Sequence, residues 1–136
     1  AGFIGTPQMN FFDAQLVRED KKFFVELGGK RIELSAEKEA RLLENDIKSQ
    51  PVTLGVRPEH TVIEAPGEGI AAKVDVSEMM GSSVHLHVTA EGKDVIIIVP
   101  TLDMKEHYAM GDAVSFSFDG NVAHVFSKET EKNLEW

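Results

Sequence analysis

Cysteine is absent from the 136 residues. That excludes disulfide staples, thiolate metal sites and a thiol nucleophile, and it suits a reducing compartment. No run of about 18 apolar residues occurs, so no stretch reads as a membrane-spanning helix. The opening Ala1-Gly2-Phe3-Ile4-Gly5 lacks the basic region and long apolar stretch of a secretory signal. Positive charge is scarce: 14 Lys and Arg stand against 23 Asp and Glu, a formal net charge of −9. Such a balance opposes the phosphate backbone of nucleic acid and the anionic heads of lipids, and Lys30-Arg31 is only a short exception. A first residue other than methionine fits either an excised piece or a processed product.

What is present is a chain of one-domain length, 42% apolar, long enough to bury a single core. Several segments alternate apolar and polar residues with period two, the pattern of strands with one buried face. Phe23–Leu27, Gly28-Gly29 and Lys30–Leu34 predict a hairpin, because paired glycines reach the positive φ that a tight turn needs. A second hairpin is expected from Val84–Val88 through Glu91-Gly92-Lys93 into Val95–Val99; the latter strand is apolar on both faces and reads as central. A third is expected to join Ala113–Phe118 to Val122–Phe126 across Asp119-Gly120-Asn121. One short helix interrupts the strands, with Ser35 as N-cap, Glu37 in the first turn and Ala36, Ala40, Leu43 and Ile47 on its packing face. Pro51 follows it, and Ala65-Pro66-Gly67-Glu68-Gly69 reads as a loop. The expected fold is mainly β: a small OB-like barrel or sandwich of short antiparallel strands with one short amphipathic helix. A polar tail runs over 127–136, with Leu134 and Trp136 as its candidate anchors.

The chemistry of an enzyme is not legible. Gly29-Lys30-Arg31 and Gly92-Lys93-Asp94 lack the hydroxyl residue and the upstream glycine of a Walker A loop. A nucleophile elbow and a paired metal-ligand helix are missing as well. His85 and His87 sit two apart on one strand face and offer two imidazoles, too few for a metal site alone; the favoured reading puts them on the solvent side, opposite Val84, Leu86 and Val88. His60, His107 and His124 have no partner pattern and read as structural. Glu59 and Glu78 as an acid/base pair are outweighed by a solvated surface. Phe11, Phe12, Phe116 and Phe118 read as core and not as a base-stacking surface, given the acidic charge.

Four features of the sequence carry a resemblance. Phe3-Ile4-Gly5-Thr6-Pro7-Gln8-Met9-Asn10-Phe11 is similar to the junction that leaves the nucleotide-binding domain in ATP-binding subunits of maltose-type and multiple-sugar ABC importers. Leu54-Gly55-Val56-Arg57-Pro58-Glu59-His60 resembles the most recognisable motif of that family's regulatory domain. Val76–Val88, with Glu78, Gly81 and Ser82 at its turn, resembles the family's Glu-x-x-Gly turn and strand, and Gly111-Asp112 with His124-Val125-Phe126 resembles its closing hairpin. The likeness covers essentially the whole chain. It departs at Ser127 and Glu131, where many members carry aspartate and glycine, which leaves the terminal turn open.

The resemblance implies one regulatory domain over 1–136, often called a transport-associated (TOBE) domain, with 1–12 as the junction from an ATPase domain and 127–136 as a terminal tail. It implies no ATP hydrolysis and no cofactor in this stretch, since ATP and Mg belong to the ATPase domain. The implied setting is a homodimeric subunit at the inner face of the cell membrane, in the cytoplasm. The implied partners are a second copy, membrane-embedded permease subunits and, in some relatives, a phosphotransferase-system regulator. Among the motif residues, Pro58 is expected to bias Arg57 to extended backbone, and Arg57, Glu59 and His60 to form an organising polar network. Gly55 and Gly81 are expected to serve close backbone approach or positive φ. Interface residues are expected around Arg57–His60 and Glu78–Ser82. The alternative is a small-oxyanion, molybdate-like sensing barrel, with Gly81-Ser82-Ser83 as the feature serving it.

Overall fold

The alternating segments form ten strands and one helix in a computed structural model that describes residues 8–103 and 107–136. The strands are β1 (Asn10–Glu19), β2 (Lys22–Leu27), β3 (Lys30–Glu33), β4 (Gln50–Val56), β5 (Val62–Glu64), β6 (Ile70–Met79), β7 (Ser83–Ala90), β8 (Lys93–Pro100), β9 (Ala113–Ser117) and β10 (His124–Ser127). Helix α1 (Ala36–Glu44) lies between β3 and β4, and short 3-10 turns cover Pro58–His60, Thr101–Asp103 and Gly120–Val122. Phe3–Pro7 of the junction segment fall outside the described residues, and its Asn10-Phe11 end opens β1.

Two antiparallel five-stranded sheets result, ordered β10-β4-β1-β2-β3 and β5-β9-β6-β7-β8. Every second residue of the long strands points to one shared core: Phe12, Ala14 and Leu16 on β1, Val84, Leu86 and Val88 on β7, Val95, Ile97 and Val99 on β8. The seam between the sheets is aromatic. Phe12 is fully buried and its ring lies 5.9 Å from that of Phe116 and 6.1 Å from that of Phe118. Each pairing is worth about 0.5–1.5 kcal/mol beyond burial, and each buried phenyl about 1.5–3 kcal/mol. These three phenylalanines are core, as the acidic charge suggests; Phe11, expected to join them, is instead 49% exposed with its ring edge-on to that of Phe126.

The two glycine-turned hairpins form. Gly28 and Gly29 take φ of +56° and +74° between Leu27 and Lys30, and β7 returns as β8 through Glu91-Gly92, with Lys93 already paired to Ala90.

Three further expectations fail, each for a physical reason. Strand β8 is an edge strand and not a central one. Its second apolar face, Ile96 and Ile98, is half-buried, and its open edge is met by Asn10, whose side-chain amide donates to the Ile96 carbonyl and accepts from the Ile96 N–H, both at 2.9 Å, and so stands in for a ladder neighbour. The third hairpin does not exist, because β9 pairs with β5 and β6 whereas β10 pairs with β4 in the other sheet. Between them Gly120 presses against the backbone of Glu33 and Leu34, so the chain crosses from one sheet to the other. The helix face is also displaced: Lys38 and Leu42 are its buried residues and Ala36 and Ala40 are exposed, although Leu43 and Ile47 do pack on the core. Lysine is accepted inside because a carboxylate meets it there.

Candidate functional site

The Arg57–His60 motif is a 3-10 turn built on its proline. Arg57 holds φ −69° and ψ 142°, the extended backbone a following proline favours, and Pro58 starts the turn. Pro58 is buried, and the His60 N–H donates to the Arg57 carbonyl at 2.9 Å. Thr61, 4% exposed, closes the turn by donating its hydroxyl to the Pro58 carbonyl at 2.6 Å. Arg57, Glu59 and His60 face solvent, and among the described residues their side chains make no hydrogen bond or ion pair with one another. The structural part of the motif is therefore Pro58 and Thr61, and the polar part is an outward-facing set. Gly55, on the strand before it, is crossed by the Met9 side chain and the Phe126 ring.

Beside this turn lies a cleft of about 760 Å³ between the start of α1, β10 and the C-terminal tail. Ser35 caps the helix by accepting from the Lys38 N–H at 3.4 Å. The Lys38 ammonium donates to both Glu135 oxygens, at 2.9 and 3.1 Å, with the two side chains 10% and 6% exposed. The tail is held further by Asn45 donating to the Leu134 carbonyl at 2.9 Å, by Leu134 packing on the core, and by the Arg41 guanidinium 4.2 Å from the Trp136 ring centroid. Both expected anchors are engaged, although Trp136 keeps 79% of its surface. Half-buried His124 lines the same cleft. Burial, and then the Lys38 charge, push its imidazole below the usual histidine range; Glu135 opposes them, and Arg57 and His60 add smaller downward effects. The Lys38–Glu135 pair was not legible in sequence, since the partners lie 97 residues apart.

The second motif sits at the far end of β6. A bulge at Asp75 shifts the β6–β7 register, and everything from Asp75 to Ser82 is exposed. Gly81 turns at φ +88°, the Met80 N–H donates to the Ser83 carbonyl at 2.8 Å, and the Thr101 N–H donates to the Ser82 carbonyl at 2.9 Å. Val76, Met79, Met80 and Leu102 leave 51%, 63%, 45% and 97% of their surfaces open here, an apolar set unusual on a chain this charged. Glu78 pairs with His87 across the strands and not with Glu59. His85 and His87 are half-exposed opposite buried Val84, Leu86 and Val88, and among the described residues no three His, Asp or Glu are placed to hold a metal ion. His107 is exposed. The terminal turn left open by Ser127 and Glu131 closes: the Ser127 hydroxyl accepts from the N–H groups of Glu129 and Thr130, and Glu131 takes φ +62°.

Comparison with known proteins covers both halves of this arrangement. Residues 5–61 match the MalK OB fold domain and residues 54–126 the TOBE domain. The oligosaccharides import ATP-binding protein MsmX of Bacillus subtilis is 30% identical over 98% of this chain and 36% of its own length. The trehalose/maltose import ATP-binding protein MalK of Thermococcus litoralis is 33% identical over 98% of this chain and 36% of its own. The ABC transporter ATP-binding protein YcjV of Escherichia coli O6:H1 is 32% identical over 96% and 35%. The chain thus spans about a third of the length of the curated relatives it matches. Among solved structures, the cytoplasmic molybdate-binding protein ModG shares the fold, with a TM-score of 0.66 at 13% identity over 91% of this chain and 99% of that one. The chain belongs to the TOBE domain family, with a MalK OB fold domain as its first part, and is homologous to the corresponding third of these ABC transporter ATP-binding proteins.

Proposed function

We propose that the chain is the regulatory and dimerisation domain of the ATP-binding subunit of an ABC transporter that imports carbohydrates. The observation that carries this reading is the similarity over 98% of the chain to two ATP-binding proteins whose names specify oligosaccharide and trehalose/maltose import. On this reading residues 1–12 lead out of an ATPase domain, where ATP and Mg are bound and hydrolysed. The domain itself catalyses nothing, and the subunit works in the cytoplasm against membrane-embedded permease subunits. Its role is to keep two subunits associated while their ATPase domains open. Two surfaces suit that role: the outward Arg57, Glu59 and His60, and the Glu78–Ser82 turn with its open Val76, Met79, Met80 and Leu102. Covering four such side chains offers the desolvation gain that an association needs. A phosphotransferase-system regulator is a further candidate partner for the same outward surfaces.

The alternative, a small-oxyanion sensor, is supported by the Gly81-Ser82-Ser83 turn. It is the weaker reading because the molybdate-binding neighbour is 13% identical to this chain, against 30% and 33% for the two sugar-import relatives.

Sedimentation equilibrium of the 136-residue chain over a wide concentration range, with molybdate, tungstate and sulfate in parallel, tests the dimer. Reversible dimerisation indifferent to the anions supports the reading, and anion-driven assembly replaces it with the sensor. Uptake of labelled carbohydrates by cells in which the encoding gene is disrupted tests the transport role; intact uptake of every carbohydrate, with loss of molybdate uptake, refutes it.

A further inference from the structure

The cleft beside α1 has a chemistry that the regulatory reading leaves unused. Trp136 is pinned: Arg41 stacks on its ring at 4.2 Å, its N–H donates to the Asn133 carbonyl at 3.3 Å, and its carbonyl accepts from Asn45 at 3.4 Å. Even so, 79% of its surface faces water. A large, immobilised and open indole loses little conformational entropy when something settles on it.

The groups around it are planar and polar. Asn121 and His124 line the cleft with Trp136. A second cleft of about 470 Å³ shares only Asn121 with the first and is acidic, with Glu64 and Asp119 and no lysine or arginine in its lining. The first cleft, at about 760 Å³, is itself in the size range of small-ligand sites.

Its charge is balanced. In the first cleft Lys38 and Arg41 stand against Glu37 and Glu135, and Lys38 is already committed to Glu135. A strongly charged ligand gains nothing net from such a lining, and an apolar one leaves the amides, carboxylates and imidazoles desolvated without partners. The matching ligand is neutral, rich in hydroxyl groups, and has an apolar C–H face to lay on the indole.

We infer that the cleft lined by Trp136, Asn121 and His124 binds a neutral oligosaccharide. The domain then senses cytoplasmic sugar directly, in addition to holding subunits together. The inference rests on the carbohydrate reading for the choice of sugars to offer. Failure to bind leaves the uptake measurement untouched, so the two readings fail separately.

Trp136 is the single tryptophan of the chain, so its emission reports this cleft alone. The 136-residue chain is titrated with maltotetraose, cellotetraose, xylotetraose and trehalose, and with glucose 6-phosphate as a charged probe. A saturable emission change is expected with at least one neutral sugar, at an affinity of about 1 mM or tighter. Asn121 is exposed and its side chain makes no hydrogen bond among the described residues, so Asn121→Ala is expected to leave the circular dichroism spectrum unchanged and to weaken the sugar about tenfold. Three results overturn the inference: no saturable change with any neutral sugar up to about 50 mM, a response to glucose 6-phosphate alone, or sugar binding that Asn121→Ala leaves unaltered.

Discussion

Replacing Lys38 by methionine keeps the length of the side chain and removes the ammonium from a site where it is 10% exposed and bonded to both oxygens of a carboxylate that is itself 6% exposed. Glu135 is then left charged and unpaired in a poorly solvated place. Breaking one side of a buried pair costs about 3–5 kcal/mol, against a total stability of about 5–15 kcal/mol for a domain of this size. Removing both charges is different in sign: Lys38→Met with Glu135→Leu exchanges two desolvated ions for apolar contact, and the outcome is neutral or stabilising by about 1–4 kcal/mol. Urea unfolding followed by far-ultraviolet circular dichroism measures both, and Trp136 emission shows whether the tail detaches first. The expected pattern is a large loss in each single variant and recovery in the double. A single-variant loss below about 1 kcal/mol refutes the reasoning, because the pair is then behaving as a solvated surface bridge. A double variant as unstable as Lys38→Met also refutes it, by showing that lysine packing and not charge pairing holds the tail.

Glu131 sits at φ +62° where a β-carbon is disfavoured. Glu131→Gly relieves about 1–2 kcal/mol of strain and returns part of it as unfolded-chain entropy, so a net gain of about 0.5–1 kcal/mol, or about 2–4 °C in Tm, is expected by calorimetry; a lower Tm contradicts it. A methyl group at Gly120 would fall on the Glu33 carbonyl oxygen and 2.9 Å from the Leu34 Cα, whereas at Gly55 it meets only the Met9 side chain and the Phe126 ring. Gly120→Ala is therefore expected to cost more than about 3 kcal/mol and Gly55→Ala about 1 kcal/mol, and equal losses in denaturant titration would show that the backbone at the sheet crossing yields as easily as a side chain. His124 is held below the usual range by burial first and Lys38 second. A depressed histidine binds fewer protons folded than unfolded, so its contribution is intact above the unfolded value of about 6.5 and is lost as pH falls below it. His124→Gln is expected to flatten the decline in stability between neutral and mildly acid pH, and an unchanged decline assigns the acid sensitivity to other groups.

The two glycine-turned hairpins, the helix with its Ser35 cap, the core role of Phe12, Phe116 and Phe118, and the outward face of His85 and His87 are all written in local sequence. Each depends on spacing within a few residues, where turn chemistry and the two-residue strand period act directly. The Arg-Pro-Glu-His motif was equally legible as a signature, and proline alone dictated the extended backbone at Arg57. Its architecture was not: Thr61 lies just beyond the recognisable residues, and its hydroxyl counts only once the chain has turned back on Pro58.

What tertiary structure decided lies at long range. Val95–Val99 is apolar on both sides, which reads as a central strand, and only the fold brings Asn10 from 86 residues away to cover its edge. Asp119-Gly120-Asn121 has the composition of a hairpin turn, and only the backbone of Glu33 pressing on Gly120 sends the chain across to the other sheet. Lys38 carries the pattern of a solvent-facing helix residue until Glu135 arrives at the other end of the sequence. In each case local pattern fixes which backbone conformation a segment prefers. The neighbour that satisfies its remaining edge, face or charge is set by closure of the chain, and no window of sequence contains it.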